Sequence, residues 1–261
     1  MATIVSFHAH PDDESIGVAG TLARAASAGH RVVLVFATRG ELGEPVPGVL
    51  ADGEQLTLRR TAECYDSAAA LGAERVEFLG YTDSGMMDEE TNDLPWCFWQ
   101  ADVDQAAHRL AAILAEEQPD LVTIYDDNGG YGHPDHIQVH RVGLRAAERA
   151  GGAYVVQHTI NRTAIERAMV ERGEGGIDLE ANPGFGKPES EITHLVDAKP
   201  ALAEKRKAME AHASQIAPDH FLLAMSEEIF ALAMGVEWFI VDPAQPADVP
   251  AVFTELFEPL R

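Results

Sequence analysis

His8-Ala9-His10-Pro11-Asp12-Asp13-Glu14 crowds two imidazoles and three carboxylates into seven residues. Holding so many titratable groups together is costly unless a bound cation or a catalytic task offsets the cost. A second cluster of similar chemistry, Asp126-Asp127-Asn128-Gly129-Gly130-Tyr131-Gly132-His133-Pro134-Asp135-His136, lies far downstream. His10 and Asp13 are three apart, and so are His133 and His136. At a strand-to-helix junction that spacing puts both members of a pair on one face of the first turn. Imidazole nitrogen with carboxylate oxygen suits Zn²⁺, which in catalytic sites takes three protein ligands and keeps one position for water. Such a site lowers the pKa of the water from ~15.7 to about 7. Fe²⁺ or Co²⁺ would accept the same donors. The clusters hold more groups than three ligands require, and a hydrolase uses the surplus as a base for the water and a donor for the oxyanion. Spacing alone does not allocate those roles.

The elements that must position these groups are legible from hydrophobic periodicity. Residues 3–7 read as a buried strand and 15–29 as a helix with Ile16, Leu22, Ala23 and Ala26 on one side. Further strands are expected at 32–37, 75–79, 121–125, 154–157, 192–196 and 236–241. Helices are expected at 54–71, 102–117, from the second cluster to about 150, at 162–171 and at 200–214. The stretch 87–99, acidic and rich in Trp and Phe, reads as a cover rather than core, and 173–188 as a Gly/Pro/acidic loop.

Alternating strands and helices imply an α/β, Rossmann-like three-layer fold with a mostly parallel sheet. In the doubly wound order 3-2-1-4-5, strands 1 and 4 are neighbours, and ligands bind outside their carboxyl ends. The two clusters follow those two strands, so the fold would bring them together. Either cluster alone is compatible with a capped turn carrying exposed histidines; the pair at neighbouring strand ends argues against that. A dinucleotide site is set aside, because carboxylates stand where a glycine-rich turn would cradle a pyrophosphate.

A chain of 261 residues with 46% hydrophobic content fits one domain, 1–261, with a sizeable core. A net charge of −24 leaves no basic stripe for nucleic acid and disfavours an anionic membrane surface. No run reaches ~18 apolar residues, and no secretory signal is expected, so a cytoplasmic location is. The two cysteines, Cys64 and Cys97, cannot form a Cys-rich zinc site and are expected as reduced thiols.

At these residues the sequence resembles the LmbE-like (PIG-L) metal-dependent deacetylases, and more narrowly the branch acting on mycothiol and its precursor. The resemblance rests on residues 8–14, Arg60-Thr61-Ala62-Glu63, Asp83-Ser84-Gly85-Met86, Tyr125 through His136, and Ala211-His212-Ala213-Ser214-Gln215. It implies His10, Asp13 and His136 as metal ligands and Asp12 as the general base that passes a proton to the leaving amine. It implies His133, held by the Asp135 carboxylate and favoured as imidazolium, as the oxyanion donor, with Tyr131 as a second donor. Arg60, Asp83, Glu44 and His212 are the candidate substrate contacts, with a structural histidine as the alternative for His212. The resemblance implies hydrolysis of an N-acyl, foremost N-acetyl, group on an N-acetylglucosaminyl-type small molecule. Cleavage of mycothiol S-conjugates is the alternative within this chemistry; a metal-dependent sugar-binding protein without turnover is the alternative outside it. Self-association into a homo-oligomer is left open, as is the part played by the loops 87–99 and 173–188.

Overall fold

The computed structural model describes residues 1–172, 178–245 and 248–260. Its central sheet contains β1 (Thr3–His8), β2 (Arg31–Phe36), β3 (Arg75–Phe78), β4 (Leu121–Tyr125), β5 (Tyr154–Thr159), β6 (His194–Asp197), β7 (Val236–Ile240) and β8 (Glu258–Pro259). They lie in the order β3-β2-β1-β4-β5-β7-β6-β8. The first five are parallel, and β7, β6 and β8 continue the sheet antiparallel. β1 is thus paired with both β2 and β4, which makes the β1/β4 boundary the point where the winding reverses.

Period-two alternation within strands buried on both faces produces the three layers. Ile4, Val32, Leu34 and Phe36 face α2 (Ala19–Ser27), α3 (Leu56–Leu71), α7 (Leu202–Ala211) and α9 (Ala251–Leu256). Val5, Phe7, Val33, Val35 and Val122 face α4 (Val103–Glu117) and α5 (Pro134–Arg149). α3 ends on Gly72, which takes the left-handed conformation common after a helix.

The helix expected over 15–29 is two helices. α1 (Asp13–Gly17) stops, Val18 sits at φ −134° and α2 begins afresh. The cause is remote: Glu237 on β7 accepts the amides of Gly20 and Thr21, which a continuous helix would give to Ile16 and Gly17. Ile16, expected against the core, is 38% exposed.

The helix expected over 200–214 ends at Ala211, because the next residues turn into the floor of the site described below. The stretch 87–99 is only partly a cover. Phe98 and Cys97 are buried in the core region, whereas Trp96 is 62% exposed. Three short elements went unread in the sequence: α8 (Glu227–Met234), α9 and β8. α6 (Arg162–Arg172) lies as expected. Of the loop expected over 173–188, residues 173–177 lie outside the described residues. No helix among the described residues is long and apolar enough to cross a membrane.

Candidate active site

β1 ends at His8 and β4 at Tyr125, so the segments that follow emerge side by side. Asp13 opens α1, His133 is the N-cap of α5, and His136 lies in the first turn of α5 behind Pro134. His136 Nδ1 lies 3.2 Å from the carbonyl oxygen of Gly129, which can only accept, so Nδ1 carries the proton and Nε2 keeps its lone pair. That Nε2 is buried without a hydrogen-bond partner and stands 3.3 Å from Asp13 Oδ1. His10 is oriented the same way: Nε2 donates to Asp135 Oδ2 at 3.1 Å, and Nδ1 faces Asp13 Oδ2 at 3.5 Å. Two imidazole lone pairs thus converge on one carboxylate, each fixed by an acceptor on the far side of its ring, as metal-ligating histidines are. Tyr125 stacks on the His136 ring at 4.3 Å. Gly129, at φ +63°, allows this approach, since a Cβ there would lie 2.4 Å from the Cβ of His136.

Charge favours a cation here. Burial works against a charged His10, but Asp83, Asp13 and Asp135 outweigh it and raise its pKa well above the ordinary value, so a second proton on Nδ1 and a metal ion there are alternatives for the same lone pair. Burial likewise opposes an ionised Asp13, and His136 and His10 overcome it and hold its carboxyl well below the usual range. Donor types, fixed tautomers and an unmet buried nitrogen all fit a divalent metal at His10, Asp13 and His136. Among the described residues two sets of possible ligand atoms lie within 4.8 Å of one another, His10/His133/His136 and His10/Asp83/Asp135; Asp13 is in neither and meets His10 and His136 through its two separate oxygens.

Two expectations for the second cluster are corrected. The Asp135 carboxylate does not hold His133; it takes the amide of Ser84 at 2.9 Å, the Ser84 hydroxyl and His10. It is the Asp135 backbone amide that donates to His133 Nδ1, at 3.1 Å. His133 is therefore a neutral Nε2–H donor rather than an imidazolium. Burial, with His10 and His136 adding to it, pushes its pKa down to about 2. Ser84 was named only as part of a motif, with no role.

Asp12 sits between these groups. Burial raises its carboxyl to about 6, with Arg60 opposing the rise and Asp13 adding to it. Arg60 reaches it from α3, with Nη2 at 3.2 Å from Asp12 Oδ2, and is itself tied to the carbonyls of Pro11 and Gly40. A cavity of about 270 Å³ opens over Asp12, Asp13, His10, Arg60, Asp83, Tyr131 and His133. Leu42, Met86 and Glu89, not singled out in the sequence as contacts, line it too. Asp83 holds its own loop by accepting the amide of Gly85, and its Oδ1 lies 3.5 Å from His10 Nε2. Burial raises the Tyr131 phenol, with Asp13 adding to the rise.

Glu44 is exposed and outside the lining of this cavity. His212, a candidate contact, is fully buried, and its Nε2 donates to Glu14 Oε1 at 2.6 Å. It belongs under the site rather than in it, because the turn after α7 passes behind Glu14. A larger cavity of about 350 Å³ lies between α2, α7 and α9, lined by Arg24, Glu204 and Glu255 among others, and carries no imidazole.

Buried imidazoles and carboxylates converging outside the carboxyl ends of a doubly wound sheet define an α/β enzyme of hydrolytic type. The chain belongs to the PIG-L family, described as GlcNAc-PI de-N-acetylase, whose model matches residues 5–147. It is 42% identical over 258 residues to the 1D-myo-inositol 2-acetamido-2-deoxy-alpha-D-glucopyranoside deacetylase of Thermobifida fusca, covering 89% of this chain and 90% of that one. The protein of the same name from Acidothermus cellulolyticus is 41% identical, covering 92% and 89%. Among solved structures, the N,N'-diacetylchitobiose deacetylase of Pyrococcus horikoshii superposes with a TM-score of 0.61 at 22% identity, over 93% of this chain and 84% of that one. At that identity the last similarity speaks for the fold alone.

Proposed function

We propose that this chain is a hydrolytic N-deacetylase that removes the acetyl group from a GlcNAc-type glycoside, with GlcNAc-inositol as the first candidate substrate. The deacetylase class follows from the family and from relatives at 41–42% identity, and the candidate substrate is the one those relatives are named for. One observation carries the chemistry: the lone pairs of His10 Nδ1 and His136 Nε2 converge on Asp13 beside the ionisable Asp12. The continuation of the sheet through β7, β6 and β8, past the matched residues 5–147, supports reading 1–261 as one domain.

His10, Asp13 and His136 would hold a divalent metal, Zn²⁺ first and Fe²⁺ or Co²⁺ by the same donors, which when bound polarises the amide carbonyl and acidifies a water. Asp12 takes the proton from the attacking water and delivers it to the amide nitrogen as the C–N bond breaks, releasing acetate and a free amine. A carboxylate with a pKa near 6 accepts and returns a proton with little cost at neutral pH. His133 donates from Nε2 to the oxygen that gains charge in the tetrahedral intermediate. Tyr131, a phenol at neutral pH and on the cavity lining, is the second donor. Arg60 steadies the Asp12 carboxylate, and Arg60 and Asp83 reach sugar hydroxyls from the cavity wall.

Release of amine and acetate from GlcNAc-inositol by protein reloaded with Zn²⁺ tests this reading. Asp12→Asn is expected to keep its metal and lose turnover by about 10³-fold. Equal loss of metal in that variant would make Asp12 a ligand. No turnover on any N-acetylglucosaminyl compound by metal-loaded wild type would overturn the deacetylase reading.

A further inference from the structure

We propose that Glu14, anchored by His212 and Ser67, is a positioning residue that holds Asp12 in a strained backbone conformation and so aims its carboxylate. The proposal rests on the reading of Asp12 as the proton-transfer group.

Asp12 has φ 104° and ψ −29°. Among the described residues, Asp88 and Gln118 are the other non-glycine residues with positive φ. Gln118 closes α4, where a left-handed residue is common, and Asp88 lies in an exposed loop. Asp12 instead opens a helix, where the capping residue is normally extended. A side-chain-bearing residue stays in that region only when its surroundings impose it.

What imposes it is visible on both sides of the residue. The Asp12 amide donates to Glu14 Oε2 at 3.1 Å, and its carbonyl accepts from Ser15 N at 2.9 Å and Ser15 Oγ at 2.7 Å. Glu14 is fully buried, and its other oxygen accepts from Ser67 Oγ and from His212 Nε2. His212 arrives from the end of α7, and its turn is tied down by Glu63, which accepts both the amide and the hydroxyl of Ser214. Arg60, Glu63 and Ser67 follow at helical spacing on α3, so one helix face serves Asp12, the His212 turn and Glu14. If the residue relaxed to an extended φ, its amide would leave Glu14 and its carboxylate would swing off Arg60. His136, and His10, Asp13 and the rest of the cavity lining, would stay in place.

Variants at Glu14 and Asp12 separate this role from general support. In Glu14→Ala, kcat should fall about 100-fold, the loss a small misplacement of a reacting group produces, with KM and bound metal unchanged. In Glu14→Gln the amide oxygen still accepts the Asp12 N–H but the NH₂ meets the Nε2–H of His212, so kcat should recover in part, to between the Glu14→Ala and wild-type values, and a kcat as low as in Glu14→Ala overturns the proposal. A readout independent of turnover uses Tm on chelated protein. Asp12→Gly should raise Tm by about 3 °C in the wild-type background, by relief of strain, and by at most half that in Glu14→Ala. An undiminished gain in both backgrounds, or parallel loss of kcat and metal in Glu14→Ala, overturns the proposal. If Glu14→Ala does not fold, Ser67→Ala replaces it, with a several-fold fall in kcat at constant KM expected and no fall overturning the proposal. If wild type turns over no N-acetylglucosaminyl compound, the proposed function fails while the Tm comparison still decides whether Glu14 holds Asp12.

Discussion

Two of the places where the described residues bury charge, one behind the site and one within it, are satisfied to different degrees. Behind the site, Glu237 and Lys205 form an ion pair at 2.7 Å, with both side chains 1% exposed. The two oxygens of Glu237 also take the amides of Gly20 and Thr21 and the hydroxyl of Thr21. The pair joins α2, α7 and β7 and sets where α2 begins. In the His10/Asp13/His136 cluster the far side of each ring is engaged, while the near nitrogens both face the Asp13 carboxylate and His136 Nε2 has no hydrogen bond. Buried charge held between fixed protein partners reads as architecture; buried imidazoles whose lone pairs converge fit a binding site. Burial alone would not separate them.

The largest expected effect tests the unmet side. His136→Ala, or removal of metal from wild type by chelator, should bring turnover to background, and only the chelated wild type should recover with added Zn²⁺; metal analysis alongside the assay checks it. Retention of full activity in His136→Ala would erase the distinction. An intermediate effect comes from pH. Asp12 must be ionised to accept a proton, and its carboxyl is raised to about 6, so kcat/KM should fall tenfold per pH unit below about 6 and level off above it. A pH–rate profile of metal-saturated enzyme checks the position of that limb. The smallest effect on activity is expected from the satisfied side. Lys205→Met strands a buried carboxylate and should cost about 3–5 kcal/mol, roughly 10 °C in Tm, with kcat per folded molecule unchanged. Thermal melts paired with active-site-normalised rates would show it, and a loss of kcat there would bring the ion pair into the mechanism.

Much of this molecule could be read from its sequence, because strands buried on both faces write themselves as apolar runs. Leu121–Tyr125 lies where expected, and Asp102 caps α4 with its side chain on Gln105 N. The neighbouring of the two clusters followed from strand order, and with it the meeting of His10, Asp13 and His136. What could not be read depended on partners distant in the chain. The break at Val18 needs a carboxylate from β7, on a strand whose own apolar pattern says nothing of Gly20. The setting of His212 depends on Glu14, 198 residues away. The tie of Asp135 to Ser84 and His10 rather than to His133, two residues before it, was decided by which way its side chain turns at the start of α5.

Composition and spacing thus determined which donors this protein brings to the switch point of its sheet. Residue type and strand order are properties of the chain itself. The tertiary structure decided which ring nitrogen carries the proton, which carboxylate holds which group, and that Asp12 stands in a left-handed turn. Each of those depends on the position of a single hydrogen-bond partner to within an ångström or so, and only the packed fold sets that.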